Sequence, residues 1–235
     1  MKDNCDGEND EDFYRGYAVD KTEHPGIMSI ARLIDQIEDS KDVWLVYEVG
    51  GIPLGKSLCD VKGEFYKGER IYKVQHMEFY ENLIRSKNIL RTFIVKIAEA
   101  FDVLSRFGIV HSDIKPDNIL IEMNRSNTDI ERIKLIDFGS AFQFHNVTQI
   151  TATTPEYLAP EILNYLEERN KNSKANVNVA VALSKKCWPW SFDVWSLGII
   201  MMEICSGFPI WMSLKSRVCT IDGKSLLGSG LLGVQ

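Results

Sequence analysis

The sequence predicts an α+β fold, in which a small strand-rich part precedes a larger helix-rich part. Three features indicate this class: two short apolar runs near the start, a long amphipathic segment in the middle and an almost wholly apolar segment near the end. Strands that come first and helices that come later are typical of a fold in which the two are segregated rather than alternating. No internal repeat is visible, so a repeat architecture is not indicated.

The two short apolar runs predict a β-hairpin. They span residues 32–37 and 43–48, and the polar segment Glu38–Asp42 between them supplies turn chemistry. The Gly-Gly-Ile-Pro segment at 50–53 ends the second strand in a hinge. The stretch that follows, from Cys59 to about Gln75, is rich in Lys, Glu and Gly, and we expect it to be an exposed insertion.

The long amphipathic segment predicts a helix from about Asn88 to Arg106. Gly108 lies just past its end, where a left-handed cap favours glycine. Apolar residues recur in the segment at helical spacing, which predicts one buried face. The residues expected on that face are Leu90, Phe93, Ile94, Ile97, Phe101 and Leu104.

Two more strands and two more helices are expected downstream. Residues 119–121 and 133–136 are strand-like, and a polar turn at 124–128 separates them. A short helix is predicted over 161–168. The segment 194–205 is apolar around nearly its whole circumference, so we expect that helix in the middle of a core.

Composition argues against several classes of function. The 235 residues are 45% hydrophobic and 26% charged, as in ordinary globular chains, with a net charge of −6. An acidic balance argues against a nucleic-acid partner or a membrane partner held by bulk charge. The longest apolar stretch is far shorter than the roughly 20 residues of a membrane-spanning helix. Five cysteines without a CxxC pair, and an acidic amino terminus, favour an intracellular protein, cytoplasmic or nuclear.

The most informative segment is residues 109–121, IVHSDIKPDNILI. It puts Asp113, Lys115 and Asn118 on one loop between a predicted helix and a predicted strand. A carboxylate can accept the proton of an attacking hydroxyl, an ammonium can neutralise charge on a transferred phosphoryl group, and an amide oxygen can bind Mg²⁺. The alternative is a surface loop whose Asp and Asn side chains only make local turns.

Three further motifs follow in order. Asp137-Phe138-Gly139 comes directly after a predicted strand, where a metal-binding carboxylate would lie and where glycine permits a sharp turn. The segments TPEYLAPE at 154–161 and SFDVWSLG at 191–198 come next. Asp-Phe-Gly alone is a weak signal, because Asp-x-Gly is an ordinary turn, but four motifs in one order leave little room for coincidence.

Together these motifs resemble those of the eukaryotic protein kinase family, serine/threonine type, over about residues 24–211. HSDIKPDN matches its H-x-D-x-K-x-x-N pattern, DFG its magnesium motif and APE the end of its activation segment. The resemblance implies a bilobal kinase-like fold with a truncated β-rich amino-terminal lobe and a helical carboxy-terminal lobe. The organisation it implies is an acidic, flexible segment at 1–23, a partial amino-terminal lobe with the hinge at 24–51, and a carboxy-terminal lobe at 52–235 that is truncated at its end.

The resemblance also implies roles for single residues. Asp113 would be the catalytic base, and Lys115 would steady the γ-phosphate. Asn118 and Asp137 would hold Mg²⁺, and Asp137 would thereby also bind ATP.

The remaining ATP-binding residues implied by the resemblance lie at the hinge and under it. The backbones of Glu48 and Gly50 would contact adenine, and Leu120 would form its apolar floor. His111, Phe138 and Leu33 would belong to a regulatory stack, and Asp193 would brace the catalytic loop from below.

The sequence also departs from the family pattern. Ser112 stands where many members have an Arg that contacts an activation-segment phosphate, which puts control by such a phosphate in doubt. No glycine-rich loop, strand lysine or partner glutamate is recognisable ahead of the hinge, and Lys21 is a poor match to that lysine. The segment 228–233 spells G-x-G-x-x-G, but no strand or helix pattern flanks it, so chance is the better interpretation.

These observations give three hypotheses. The first is a serine/threonine protein kinase that uses ATP and Mg²⁺ to phosphorylate a protein on Ser or Thr hydroxyls. The second is a non-catalytic kinase-like scaffold or binding module, because each missing phosphate-binding group is worth about 10²-fold or more in rate. The third, a small-molecule phosphotransferase of kinase-like fold, would have no reason to carry the APE motif or the helix of Asp193.

Overall fold

The computed structural model describes residues 24–66, 69–147, 150, 154–171, 188, 190–210, 218–221 and 224–227. The acidic segment at 1–23 and the G-x-G-x-x-G match at 228–233 lie outside the described residues. No helix within these ranges is both long enough and apolar enough to cross a membrane.

Helices and mostly antiparallel strands make up an α+β fold, as predicted. The strands are β1 Leu33–Glu38, β2 Val43–Tyr47, β3 Ile52–Pro53, β4 Cys59–Tyr66, β5 Glu69–His76, β6 Ile109–Val110, β7 Ile119–Met123, β8 Ile130–Leu135, β9 Phe142–Gln143, β10 Val218–Ile221 and β11 Lys224–Leu227. The α-helices are α1 Leu54–Leu58, α2 Glu78–Arg85, α3 Lys87–Arg106, α4 Pro160–Lys171 and α5 Ser191–Ser206. Short 3₁₀ helices cover Pro25–Ser29, Pro116–Asn118, Phe138–Ser140, Phe144–Asn146 and Pro155–Tyr157.

The first hairpin is confirmed as a two-stranded antiparallel sheet of β1 and β2, in which Leu33 pairs with Tyr47. Its turn is closed by the Asp39 side chain, whose Oδ1 accepts from the amides of Lys41 at 2.8 Å and Asp42 at 2.9 Å. Such a side-chain bond to the backbone is why Asp favours turns. Both strands are exposed along their whole length.

The segment 59–75 is not the wholly exposed insertion that composition suggested. It forms a second antiparallel hairpin, β4 and β5, and Tyr72 and Val74 in β5 are 5% and 3% exposed. They pack with Phe208, which follows the end of α5. Tyr72 and Val74 alternate with the polar residues Lys73 and Gln75. Because side chains in a strand point alternately to its two faces, this alternation places one face of the hairpin inward. β5 also pairs in parallel with β10, which pairs with β11.

The long helix is confirmed as α3, and it supplies much of the core. Its side chains Phe93 and Ile97 are fully buried, and Gly108 just beyond it has a positive φ of 61°, as the left-handed cap requires. Ile94 is an exception to the predicted face, because it is 38% exposed. The core contacts the stripe that runs through Phe93, Ile97 and Phe101, and Ile94 lies at the edge of that stripe.

The chain that precedes β1 is fastened to α3. A Cβ added to Gly26 would lie 1.9 Å from the carbonyl oxygen of Glu99, so only glycine allows this close approach. His24 bonds the Asp102 carboxylate at 2.8 Å and accepts from the Gly26 amide at 3.1 Å. The Ala31 amide then donates to the Leu135 carbonyl at 2.9 Å, which sets the start of the hairpin beside β8.

Helix α5 does not lie in the middle of a core within the described residues. Its apolar side chains Val194, Trp195 and Met202 are 43%, 44% and 59% exposed. The buried residues on it are Phe192, Asp193, Ser196, Ile200, Glu203 and Ile204. Three of these six are polar, so the helix directs hydrogen-bonding groups inward.

We expect Phe93→Ala to lower the free energy of unfolding by about 3–5 kcal/mol, because it leaves a cavity at a fully buried position. Ile94→Ala is the matched control on the same helix, and it should cost about 1 kcal/mol or less, since its side chain is partly solvated. Urea unfolding followed by circular dichroism measures both. Equal losses for the two variants would contradict the assigned face of α3.

Candidate active site

A buried carboxylate on α5 holds the loop that carries the predicted catalytic residues. Asp193 is 3% exposed, and its two oxygens accept from the backbone amides of His111 at 2.8 Å and Ser112 at 3.0 Å. Burial raises the pKa of Asp193, while nearby His111 and the two amide bonds oppose that rise. Ser112 adopts φ 67°, a conformation that costs an ordinary residue roughly 1–2 kcal/mol. The loop is therefore held in a strained shape by specific bonds.

Asp113, the predicted catalytic base, lies at the centre of a hydrogen-bonded cluster. Lys115 Nζ donates to Asp113 Oδ2 at 2.7 Å and to Thr154 Oγ1 at 3.0 Å. Thr154 Oγ1 in turn donates to Asp113 Oδ1 at 2.9 Å. The structure thus brings both predicted catalytic residues together and fixes each oxygen of the carboxylate. Sequence analysis missed Thr154 as a site residue, although it opens the TPEYLAPE motif.

Asn118, one of the two predicted Mg²⁺ ligands, belongs to the same cluster. Its Nδ2 donates to the Asp113 carbonyl at 2.9 Å and to Asp113 Oδ2 at 3.0 Å, and the residue is 5% exposed. Both bonds use the amide nitrogen. The side-chain oxygen of Asn118 is therefore the atom that these bonds leave for a cation.

Asp137, the other predicted ligand, follows β8 and is exposed. Its φ of 63° and ψ of 67° are left-handed, and its Oδ1 accepts from the Gly139 amide at 3.4 Å. A Cβ added to Gly139 would lie 3.2 Å from that same oxygen, so a larger residue there would crowd the carboxylate. Glycine at this position keeps the space around the Asp137 side chain open.

Two hydrogen bonds join the loop of Asp113 to the chain just before Asp137. The Ile136 amide donates to the Asn118 carbonyl at 3.1 Å, and the Ile136 carbonyl lies 3.0 Å from His111 Nε2. The rings of His111 and Phe138 are 4.6 Å apart between centroids, so two members of the expected stack are in contact. The third, Leu33, is 45% exposed on β1.

Of the two hinge residues assigned to adenine, Gly50 lies against Leu120 of β7. A Cβ added to Gly50 would be 2.6 Å from Leu120 Cδ1, so these two predicted residues are brought together. The Glu48 amide donates to the Arg32 carbonyl at 3.1 Å, so an adenine contact at Glu48 would have to use its carbonyl oxygen.

The side chain of Glu48 makes a buried ion pair that sequence analysis missed. Lys134 on β8 is 3% exposed, and its Nζ lies 2.6 Å from Glu48 Oε1, which also accepts from the Arg32 amide at 2.9 Å. These bonds, above all the one from Lys134, hold the pKa of the Glu48 carboxyl below its usual range. The sequence did contain a signal for this pair, because Lys134 lies within a strand-like run. A lysine is almost never buried unless it is paired, so a buried Lys134 requires an acidic partner.

A cavity of about 610 Å³ lies next to the cluster and includes Lys115 and Thr154 in its lining. Glu203 of α5 also lines it, and its carboxylate accepts from the Tyr157 hydroxyl at 2.9 Å and the Ile210 amide at 3.0 Å. Burial raises the pKa of Glu203, and the like charge of Asp117 adds to that rise. Burial also raises the pKa of the Tyr157 hydroxyl.

No group of three or more His, Cys, Asp or Glu side chains that could hold a metal ion occurs in the ranges that the structure describes. A site formed by Asn118 and Asp137 would not be such a group, because it has one carboxylate and one amide. Mg²⁺ in phosphoryl-transfer sites commonly takes one or two carboxylates and completes its shell with phosphates and water. The two predicted ligands therefore match this cation in chemistry and in number.

The family model for the protein kinase domain matches residues 16–224 of the chain. The match covers every element of the candidate site, and the chain belongs to the protein kinase domain family. It is also similar to individual kinases.

Serine/threonine-protein kinase CG17528 of Drosophila melanogaster is 30% identical over 190 residues, which cover 80% of this chain and 19% of the relative. Serine/threonine-protein kinase STN7, chloroplastic, of Arabidopsis thaliana is 30% identical over 184 residues, which cover 74% of this chain and 30% of the relative. Serine/threonine-protein kinase mrck-1 of Caenorhabditis elegans is 32% identical over 125 residues, which cover 52% of this chain and 6% of the relative. The chain thus spans less than a third of the length of these curated relatives.

The Glu48–Lys134 pair predicts an asymmetric response to substitution. Glu48→Gln should lower the free energy of unfolding by about 3 kcal/mol, because it leaves a buried ammonium without an anionic partner. Lys134→Met should cost only about 1 kcal/mol, because the carboxylate that remains is 20% exposed and water can reach it. Adding Lys134→Met to Glu48→Gln should recover most of the loss in urea unfolding. Additive losses in the double variant would contradict the pairing.

Proposed function

We propose that this chain is a serine/threonine protein kinase, which transfers the γ-phosphoryl group of ATP to a hydroxyl of a protein substrate. The observation that carries the proposal is the cluster in which Lys115, Asn118 and Thr154 all bond the carboxylate of Asp113. A purely structural loop has no need to orient both oxygens of one buried carboxylate beside a cavity. The membership of the kinase family and the names of the relatives support the same activity.

Asp113 would act as the base that orients the substrate hydroxyl and accepts its proton. Its oxygens accept side-chain bonds from Lys115, Asn118 and Thr154, which hold the carboxylate in a fixed orientation toward a substrate hydroxyl. Lys115 would neutralise charge on the transferred phosphoryl group, since its side chain is 23% exposed and its ammonium is fixed by two bonds. Catalysis of this kind depends on positioning and electrostatics rather than on covalent chemistry.

The chemistry of the donor set supports Mg²⁺ and ATP as cofactors. Asn118 and Asp137 offer the hard oxygen atoms that Mg²⁺ prefers, and Mg²⁺, when bound, supplies neutralisation of phosphate charge. The Glu48 carbonyl and Gly50 would contact the adenine, and Leu120 would lie under its ring. An ATP-dependent enzyme would work inside the cell, either in the cytoplasm or in the nucleus.

The proposal includes the division of the chain implied by the sequence. Residues 24–51 would form the partial amino-terminal lobe with the hinge, and residues 52–235 would form the carboxy-terminal lobe. Lys115 two residues after Asp113 and Thr154 ahead of Tyr157 resemble the serine/threonine type of the family, which favours a Ser or Thr rather than a Tyr acceptor. The two side chains are in contact at 3.0 Å.

A non-catalytic kinase-like binding module is the second candidate. The observation that favours it concerns the described residues ahead of the hinge, 24–47, where Arg32 and Lys41 are the residues with a full positive charge. Lys41 lies in the turn between β1 and β2. The described part of the chain therefore offers little cationic charge on that side for the phosphates of ATP.

Asp113→Asn should abolish phosphoryl transfer, with a loss of at least about 10²-fold, because an amide cannot accept the proton of the hydroxyl. Transfer of ³²P from ATP to a degenerate Ser/Thr peptide library measures the loss. Asp42→Asn, a change of the same type in the exposed β1–β2 turn, is the control and should leave the rate unchanged. Equal activity in the Asp113 variant would show that the transfer comes from another protein.

Mg-ATP should raise the melting temperature of the protein, because a ligand that binds only the folded state stabilises it by about 2.7 kcal/mol at 100 times its Kd. Asp137→Asn should reduce the part of the shift that depends on Mg²⁺, whereas Asp113→Asn should leave the shift largely intact. The measurement is differential scanning fluorimetry with ATP alone and with Mg-ATP. Absence of any shift in the wild type would favour the binding-module hypothesis.

A further inference from the structure

Lys134 adjoins all three residues that we propose to contact adenine. It lies on β8 and is 3% exposed, although its side chain carries a full charge. Its ammonium lies 2.6 Å from Glu48 Oε1. A Cβ added to Gly50 would be 3.2 Å from the Cβ of Lys134 and 3.3 Å from its Cγ, so the hinge backbone rests on its methylene stem. Leu120 is its cross-strand partner in the pairing of β7 with β8.

The hydrogen bonds at Glu48 fix its peptide group as well as its side chain. Its amide donates to the Arg32 carbonyl at 3.1 Å, and its Oε1 accepts from the Arg32 amide at 2.9 Å. Lys134 Nζ donates to that same oxygen at 2.6 Å. Because backbone and side chain are both bonded, Glu48 is held in one orientation. The group that these bonds leave for a base is its carbonyl oxygen.

The bond from Lys134 is the one that connects Glu48 to β8. A hydrogen bond between two charged groups is stronger than one between neutral groups, and it gains further strength where water is excluded. If the ammonium were removed, water could reach the Glu48 carboxylate, which is 20% exposed, and compete for it. The Glu48 peptide would then be free to shift relative to Leu120 and the rest of the β7–β8 sheet.

We propose that Lys134 is a positioning residue for the nucleotide base, which acts through Glu48 and Gly50 to fix the hinge groups that contact adenine. The proposal rests on the function proposed above, and it adds a residue that controls affinity for the base by acting on the hinge. The phosphate side of the site should not depend on Lys134. The chain entering Asp137 is held by separate bonds, which Ile136 makes to the loop of Asp113.

The first experiment measures binding without transfer, by displacement of the fluorescent nucleotide mant-ATP from the full chain in the presence of Mg²⁺. Adenosine probes the base side of the site, and inorganic tripolyphosphate probes the phosphate side. Lys134→Met should raise the inhibition constant of adenosine about tenfold, which corresponds to roughly one hydrogen bond to a charged group, and leave that of tripolyphosphate unchanged. Asp137→Asn should have the opposite pattern.

Arg132→Met is the matched control for the loss of an ion pair from β8. Arg132 precedes Lys134 on the same strand and pairs with Glu122 of β7, but its side chain is 48% exposed. Exposed pairs contribute little, so this variant should change neither inhibition constant. Adding Glu48→Gln to Lys134→Met should weaken adenosine no further, because the connection between hinge and β8 is already broken. A role in stability alone would lower the folded fraction and leave both constants unchanged.

The second experiment measures transfer from Mg-ATP to a degenerate Ser/Thr peptide library. Lys134→Met should raise the KM for ATP about tenfold with little change in kcat, the pattern of a lost binding interaction.

The two experiments separate this inference from the kinase activity. A loss confined to adenosine supports the inference even if the wild type phosphorylates no peptide, a result that would overturn only the kinase activity. Equal losses for adenosine and tripolyphosphate, no loss for adenosine, an equal loss in Arg132→Met, a further loss in the double variant, or a fall in kcat at constant KM would overturn the inference. The kinase activity would then still be decided by the wild-type rate. Failure of the wild type to bind mant-ATP would overturn both.

Discussion

The contact between Asp193 and the backbone of the loop that carries Asp113 is the interaction on which the rest of the candidate site depends. A carboxylate that is 3% exposed loses most of its hydration, and two amide bonds from residues 111 and 112 offset that loss. The same two bonds fix the left-handed Ser112, which directs the chain so that Asp113 enters its cluster. Without this carboxylate, the strained conformation would have no compensation, and the loop would relax away from its working shape.

From this anchor, the site extends by direct contacts in two directions. On one side, His111 and Asn118 bond the two polar groups of Ile136, which fixes the chain entering Asp137. On the other side, Lys115 and Thr154 bond Asp113 and connect the loop to the segment that leads into α4. Groups from three separate stretches of sequence are thus held in one arrangement, which in the proposed kinase would reduce the entropic cost of bringing the reactants together.

Sequence patterns predicted what depends on local periodicity and on fixed spacing, namely the first hairpin, helix α3, strands β7 and β8 and the loop of Asp113. They failed where contacts between distant parts of the chain determine which residues are buried. The apolar run of α5 gave no sign that Glu203 would lie on its buried face, and only the family resemblance indicated that Asp193 would contact the loop of Asp113, because hydrogen-bond partners far away in sequence set that choice. The alternation around Tyr72 was hidden among charged residues, and Lys134 was passed over because its partner Glu48 is 86 residues away.

Lys134 lies near the end of β8, three residues before Asp137. Three residues span at most about 11 Å even when extended, and here the chain leaves β8 after Leu135 and turns left-handed at Asp137. In the proposed site, the residue tied to the hinge and the carboxylate near the phosphates would therefore be held by one short segment and could not move far apart. Insertion of a single residue into β8 would turn its inward side chains outward and displace Lys134 relative to Asp137.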